Sequence, residues 1–194
     1  IATGSEPVIP PIPGLESVKY LTNREILQLS EIPGELTILG AGYIGIEFAA
    51  FFSAMGTRVT VVELMPEILP GIDKDLTGFV RQELAARNVD IRLNSKVVSI
   101  EKSNLAVETA VALRPEDFSG TVKPSETSVI TETIPYKNLL ICVGRKPVVT
   151  GLGLENIGVE YSPKGIRTDL QCRTNIPSAY AAGDVNGVSM LAHT

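Results

Sequence analysis

The chain has 194 residues, 44% of them hydrophobic and 20% charged, which is an ordinary globular composition for one large or two small domains. A net charge of −5 and an isoelectric point near 5.0 argue against a nucleic-acid or acidic-membrane partner. No apolar run approaches the roughly 18 residues of a membrane span, and the first residues lack the basic and apolar regions of a signal peptide.

The first third of the chain begins with an extended connector. Residues 4–15 are rich in Gly and Pro, which disfavours both a helix and a central strand. Thr22 and Glu25 then have the spacing of a capping box, and the pattern predicts a short helix over about 23–29. Pro33 ends that segment and leads into the first buried strand.

A strand, a glycine turn, a helix and a second strand follow in the order of a dinucleotide-binding unit. Residues 36–39 form a short apolar run, residues 40–45 read GAGYIG, and a helix extends from there to about residue 55. The strand at 57–62 ends on Glu63, 18 residues after the last glycine of the turn. This context completes the dinucleotide fingerprint, which a lone GxGxxG does not.

Each glycine of the turn has its own physical role in this interpretation. Gly40 permits the sharp exit from the strand, Gly42 removes a Cβ that would block a pyrophosphate, and Gly45 brings the helix close to the sheet. The Glu63 carboxylate can accept both ribose hydroxyls, and it would repel the 2′-phosphate of NADP. No arginine follows it in residues 64–67, so the sequence predicts NAD as the cofactor.

The chain after Glu63 predicts one more helix and two more strands. Asp73 is a candidate N-cap, and the apolar residues of the helix recur at helical spacing. We expect its buried face to consist of Leu76, Phe79, Val80 and Leu84. Strands are predicted at about 89–93 and from residue 96 onward.

The second half of the chain is mostly β in its pattern. Residues 105–134 alternate, with a polar interruption at 115–124, and predict an antiparallel meander in place of a crossover helix. A buried strand is expected at 139–143, a hairpin at 159–168 and a strand at 179–185. The predicted fold class is therefore α/β, a Rossmann-like parallel sheet with an antiparallel meander in three β/β/α layers.

Taken in order, the motifs of the chain resemble those of the FAD-dependent pyridine nucleotide–disulfide oxidoreductases, and within them the dihydrolipoamide dehydrogenase subfamily. The resemblance rests on segments spread over nearly the whole chain: 2–5, 40–47, Glu63, 144–147, 173–174, 180–185 and 190–193. Mercuric reductase-like and NADH oxidase-like members of the family stay open as alternatives. So does a stand-alone NAD-binding module, whereas the motifs at 144–145 and 183–184 argue against an S-adenosylmethionine-dependent methyltransferase.

The resemblance implies two sets of cofactor-binding residues. Those expected at NAD are Gly40, Ala41, Gly42, Tyr43, Ile44, Gly45, Ile46, Glu47, Glu63, Val97 and Gly144. Those expected at FAD are Thr3, Gly4, Ser5, Asp184, Met190, Leu191, Ala192 and His193, with the Asp184 carboxylate accepting from a ribityl hydroxyl. For Arg145, contact with the cofactor and a solvated position are about equally favoured.

The resemblance also implies that much of the parent enzyme lies outside this chain. We expect residues 1–14 to be a connector from an FAD domain, 15–147 the NAD domain, and 148–194 a returning segment of the FAD domain. The redox disulfide and the acid/base pair of the family are absent, so no residue here, His193 included, is expected to be catalytic. The parent would be a homodimer and a component of a 2-oxoacid dehydrogenase or glycine cleavage complex.

The two cysteines indicate neither a metal site nor a redox pair. Cys142 and Cys172 stand 30 positions apart, outside any CxxC or zinc pattern. We expect Cys142, which lies in an apolar strand, to be an inert core residue. Two unpatterned thiols in a small acidic chain favour the cytoplasm or another reducing compartment, and we expect a cytoplasmic protein.

Overall fold

The computed structural model describes residues 1–112 and 127–191, and the chain divides into two compact units. One unit is Ile9–Val143, and the other combines Ile1–Val8 with the chain from Gly144 onward. The helices and strands of the described residues are β1 (Ser5–Pro7), β2 (Glu35–Leu39), α1 (Tyr43–Ala54), β3 (Arg58–Val62), α2 (Lys74–Ala86), β4 (Asp90–Arg92), β5 (Ser95–Glu101), β6 (Asn104–Ala112), β7 (Thr127–Pro135), β8 (Leu139–Ile141), β9 (Arg145–Pro147), β10 (Tyr161–Ser162) and β11 (Gly165–Ile166). Neither α-helix is long and apolar enough to span a bilayer.

The unit Ile9–Val143 is built on a parallel sheet with the strand order β4-β3-β2-β8. Leu39, the last residue of β2, pairs with Val62 on one side and Ile141 on the other. The order reverses at β2, which is where a doubly wound sheet opens a crevice beyond its carboxyl ends. The prediction of a Rossmann-like α/β fold is confirmed.

The predicted meander is also confirmed, and it supplies the third layer. Strands β5, β6 and β7 form an antiparallel sheet. Alternate strand residues face opposite sides, because side chains have a period of two: Leu140 of β8 joins the core under the helices, and Leu139 and Ile141 join the core against the meander. The polar interruption predicted at residues 115–124 lies outside the described residues.

Helix α2 buries two of the four residues predicted for its buried face, since Leu84 is buried and Val80 is half-buried against the core. Asp73 caps it as expected, its carboxylate accepting from the Asp75 amide at 2.9 Å. Leu76 and Phe79 are 62% and 63% exposed, whereas Thr77 and Leu84 are buried. The stripe that includes Thr77 has the same helical spacing, so periodicity did not discriminate between two overlapping faces.

The segment at 23–29 is shorter than predicted. The capping box is present, since the Glu25 carboxylate accepts from both the amide and the hydroxyl of Thr22, at 2.8 and 2.5 Å. It precedes a single 3₁₀ turn over Ile26–Gln28 rather than a helix. Leu21, directly before the capping box, bridges to β8.

The other unit is held by short ladders. Strand β1 pairs antiparallel with β9, and β10 pairs with β11. The strand predicted at 179–185 forms only an isolated bridge from Tyr180 to Arg173, and Gly183–Asn186 is a 3₁₀ turn. A positive φ of 77° at Gly183 turns the chain out of the extended conformation, so the strand ends early.

One prediction concerns Tyr136, whose hydroxyl is buried with no hydrogen-bond partner among the described residues. Burial also raises the pKa of this phenol. We expect Tyr136→Phe to raise the free energy of unfolding by about 1 kcal/mol, because it removes an unpaired polar group from an apolar core. Urea denaturation measures the change. Tyr20→Phe, in a half-buried tyrosine packed on the same core, is the control, and a loss of stability in Tyr136→Phe would contradict the assignment.

A second prediction concerns the pH dependence of the capping box. The hydrogen bond from the Thr22 hydroxyl, followed by that from its amide, lowers the pKa of Glu25. The stabilisation is therefore complete above the unfolded-state pKa, about 4.3, and is lost as the pH falls through the lower folded value.

We expect Glu25→Gln to lower the free energy of unfolding by about 0.5–1 kcal/mol at pH 7, and the difference from wild type to shrink in acid. Urea denaturation at several pH values between about 3 and about 7 measures how this difference depends on pH. Glu31→Gln, in an exposed glutamate of the following loop, serves as control. A pH-independent difference would show that the carboxylate charge has no role.

Candidate functional site

The predicted glycine turn lies at the carboxyl end of β2 and approaches the end of β8 closely. Gly40 has a φ of 100°, and a Cβ there would stand 2.4 Å from the carbonyl oxygen of Cys142. Both the backbone conformation and the space therefore require glycine. The turn is also tied to β3, because the Gly40 amide donates to the Val62 carbonyl at 2.9 Å.

The other two glycines of the turn differ from each other in what surrounds them. A Cβ on Gly45 would lie 2.1 Å from the carbonyl oxygen of Gly40, so α1 can start this close to the turn only with glycine at that position. A Cβ on Gly42 would meet nothing within 4 Å. Gly42 is thus not needed for packing, and its missing side chain leaves open space at the start of the helix.

Helix α1 begins at this open space with its first amides uncapped by any side chain. Gly42 is the N-cap residue, in an extended conformation, and its carbonyl accepts from the Ile46 amide at 3.0 Å. The amides of residues 43–45 precede the first intrahelical hydrogen bond, so their N–H groups have no acceptor within the helix. Together with the positive end of the helix dipole, they form a place that favours an anion.

The Glu63 carboxylate closes the other side of the turn. It is 8% exposed, and Oε2 accepts from the Ala41 amide at 2.6 Å while Oε1 accepts from the Met65 amide at 2.7 Å. The Glu63 backbone is held as well, donating to the Arg92 carbonyl and accepting from the Ser95 amide, each at 2.8 Å. Charge-assisted bonds of this kind are short and strong, so the carboxylate has a fixed orientation.

The other residues predicted for this site are more dispersed. Glu47 is exposed on α1, and Tyr43 is 44% exposed near its start. Val97 is half-buried and packs against the core of the meander. Gly144, with a φ of 132°, belongs to the other compact unit.

In that other unit, three polar side chains from distant segments meet. The Ser5 hydroxyl donates to Oδ2 of Asp184. The Arg145 guanidinium donates from Nε to Oγ of Ser5 and from Nη2 to the Ser5 carbonyl, both at 2.7 Å. Thr3 is more peripheral, donating to the Val148 carbonyl, and Gly4 has a φ of 72° with open space at its Cβ position.

The remaining predicted contacts fall at the end of the described chain. Met190 and Leu191 are half-buried and outside any helix or strand. Ala192 and His193 lie outside the described residues.

Sequence reasoning missed two contributors to these clusters. The Met65 amide could not be foreseen, because it depends on the path of the loop after β3. Arg145 was assigned to a cofactor or to solvent, yet its side chain is only 18% exposed and binds Ser5 and Asp184. Its place next to Gly144 was a signal of importance, but the pairing of β1 with β9 that brings it to Ser5 has no signature in the sequence.

Cys142 is half-buried and packs against the core under the helices. Burial raises the pKa of Cys142 to about 12, so the thiol stays protonated and unreactive near neutral pH. Among the described residues, no group of three or more His, Cys, Asp or Glu side chains is placed to hold a metal ion.

Comparison with known proteins gives a consistent set of relatives. The family model described as pyridine nucleotide-disulphide oxidoreductase matches residues 1–194. The chain is 36% identical to a dihydrolipoyl dehydrogenase of Chlorobaculum tepidum and 37% identical to one of Buchnera aphidicola, covering 100% of this chain and 38% of each relative. A solved Cu(II) complex of the HOCl-induced flavoprotein disulfide reductase RclA from Escherichia coli has a TM-score of 0.78 and 31% identity, covering 99% of this chain and 41% of that one.

The different surroundings of Gly42 and Gly45 make a matched pair of variants. We expect Gly45→Ala to destabilise the protein by about 1–3 kcal/mol, because the new Cβ is forced against the Gly40 carbonyl. Gly42→Ala should leave the free energy of unfolding within about 0.5 kcal/mol of wild type, since its Cβ meets open space. Urea denaturation of both variants tests the pair, and equal losses would contradict the geometry.

Proposed function

The chain belongs to the pyridine nucleotide-disulphide oxidoreductase family, and on this premise we propose that it is the NAD-binding portion of a flavin-dependent dihydrolipoamide dehydrogenase. The chain spans about 38% of the length of the curated relatives it matches. In the proposed parent, dihydrolipoamide is oxidised through a redox disulfide and FAD, and hydride passes to NAD. The cofactors supply that redox chemistry, and the residues of this chain bind and orient them.

One observation carries the proposal, which is the convergence of the glycine turn, the first amides of α1 and the Glu63 carboxylate at the carboxyl edge of the parallel sheet. The open space at Gly42 would let a pyrophosphate reach the helix amides. The proposed NAD contacts are the turn and helix residues 40–47 with Glu63, and Val97 and Gly144 are proposed as further contacts. Glu47, exposed on α1, is proposed to lie toward the nicotinamide end.

The proposed preference for NAD over NADP follows from the held carboxylate. Each Glu63 oxygen already accepts one backbone amide, so each retains acceptor capacity for one ribose hydroxyl. The same two bonds prevent the carboxylate from turning away from a 2′-phosphate. Two negative charges about 4 Å apart repel by roughly 4 kcal/mol at an effective dielectric near 20.

The finer organisation of the parent is part of the proposal. We propose residues 15–147 as the NAD domain, with 1–14 and 148–194 as pieces of an FAD domain that uses the residues around Ser5 and Asp184. The carboxylate of Asp184 suits a hydroxyl-bearing chain, and Gly4 and Gly183 leave open space at their Cβ positions. We further propose that the parent is a cytoplasmic homodimer that serves a 2-oxoacid dehydrogenase or glycine cleavage complex, with the FAD and dimerisation domains of the parent as the immediate partners of the NAD domain.

The second candidate is another disulfide reductase of the same family. It is favoured by the 31% identity to a flavoprotein disulfide reductase over nearly the whole chain. The two candidates share the dinucleotide site and differ in the substrate of the disulfide, which turnover with dihydrolipoamide at the natural length of the protein distinguishes.

Calorimetric titration of this chain with NAD, NADP and FAD tests the proposal. We expect NAD to bind at least about tenfold more tightly than NADP, a difference of about 1.4 kcal/mol, and FAD alone to give no signal. Glu63→Ala should lose most of that preference, because the repelling charge and the ribose acceptor are both removed. Glu67→Ala, in the same loop and paired with Arg81 at 3.1 Å, is the matched control and should keep it.

Circular dichroism of each variant accompanies the titration, because Glu63→Ala leaves the Ala41 and Met65 amides without their partner. A folded wild-type chain that binds neither dinucleotide contradicts the proposal. Equal affinity for NAD and NADP would contradict the role of Glu63 alone.

A further inference from the structure

Ser5, Arg145 and Asp184 form a cluster of hydrogen-bonded side chains that are mostly shielded from solvent. Ser5 is 8% exposed, and the side chains of Arg145 and Asp184 are 18% and 27% exposed. Arg145 Nε lies 3.9 Å from Oδ2 of Asp184, with the Ser5 hydroxyl bonded to both groups. The three residues therefore form a connected network rather than three separate surface groups.

The donor inventory of this network fixes the direction of its hydrogen bonds. A guanidinium has only donors, so the Ser5 oxygen must accept from Arg145. The single hydroxyl proton of Ser5 is then directed to Oδ2 of Asp184. Successive bonds of this kind polarise one another, and the chain runs from guanidinium through hydroxyl to carboxylate.

The arrangement leaves the two oxygens of Asp184 unequal. Oδ2 is engaged by Ser5 and faces Arg145, whereas Oδ1 accepts from no other residue that the structure describes. With about a quarter of the side chain exposed, Oδ1 is the oxygen available to a donor from outside.

The backbone of the turn that carries Asp184 is closely packed against the hairpin of β10 and β11. Gly187, at the end of the same 3₁₀ turn, has a φ of 69°, and a Cβ there would stand 1.8 Å from the Lys164 carbonyl. Gly165 also approaches Asn186 closely, since an ideal Cβ there would stand 2.6 Å from the Asn186 carbonyl carbon. The hairpin of β10 and β11 thus packs closely against the turn, and Arg145 and Ser5 hold the side chain of Asp184.

We propose that Arg145 and Ser5 are positioning residues that orient Asp184 so that Oδ1 accepts a hydrogen bond from a hydroxyl of the ribityl chain of FAD. This inference rests on the proposed function, which places FAD at Asp184. Arg145 acts through the Ser5 hydroxyl and through its bond to the Ser5 carbonyl.

The test measures dissociation constants for FAD and for FAD analogues that each lack one ribityl hydroxyl, by quenching of flavin fluorescence. It uses the protein at its natural length, with the variants Arg145→Gln, Ser5→Ala, Asp184→Asn and the double variant Ser5→Ala/Arg145→Gln. The control is Arg167→Gln, because Arg167 is an arginine of the same unit that pairs with the exposed Glu160 at 3.4 Å, outside the Ser5–Arg145–Asp184 cluster.

Wild type should bind FAD at least about tenfold more tightly than one of the analogues, as expected for a hydrogen bond to a charged acceptor. Arg145→Gln, Ser5→Ala and Asp184→Asn should each reduce that ratio toward one, and Arg167→Gln should preserve it. The double variant should bind FAD no more weakly than the weaker single variant, because both substitutions interrupt the same path. The ratio is taken within one variant, so a general loss of stability cancels.

The inference is overturned if wild type binds FAD with the expected ratio and Arg145→Gln keeps it, or if the effects of the two single substitutions add in full. A wild-type protein that binds no FAD overturns the flavoenzyme proposal itself, and this inference with it. The two failures are therefore distinguishable from the wild-type measurement alone.

Discussion

The close approach of Gly45 to Gly40 is the contact on which the geometry at the carboxyl edge of the parallel sheet depends. An ideal Cβ on Gly45 would lie 2.1 Å from the Gly40 carbonyl, and one on Gly40 would lie 2.4 Å from that of Cys142. Because neither glycine has a side chain, β2, β8 and the start of α1 can meet at one point. The uncapped amides of the helix and the Glu63 carboxylate can face the same space only because of that proximity.

Each of the two compact units fixes the orientation of one carboxylate, and both do so by the same kind of contacts. Segments distant in the chain are brought together where glycine removes a side chain, and a carboxylate is then fixed by donors from another segment. Glu63 is held by two backbone amides, and Asp184 by a hydroxyl that is itself directed by a guanidinium. A carboxylate fixed before its ligand arrives need not be ordered on binding, so less free energy is lost in the complex.

Local sequence patterns predicted the helices and strands correctly where a pattern was compatible with only one structure. The buried strand β2, the glycine turn and the acid at the end of β3 follow from spacing and residue type alone. Helix α2 had two overlapping apolar stripes, and packing of Thr77 selected the one that leaves Leu76 and Phe79 in solvent. The capping box at Thr22 formed, but it is followed by a single 3₁₀ turn and not by the predicted helix.

The sequence by itself determined the parallel sheet with its meander and the residues of the glycine turn, because hydrophobic period, glycine spacing and turn chemistry are local properties. The tertiary structure decided the contacts that join distant segments: Glu63 with the amide of Ala41, and Arg145 with Ser5 and Asp184. Those contacts depend on strand pairing and register, above all that of β1 with β9, whose partners are about 140 residues apart. Nothing in a local pattern encodes such a pairing, so the sequence alone could not place the Arg145 side chain in a partly buried network.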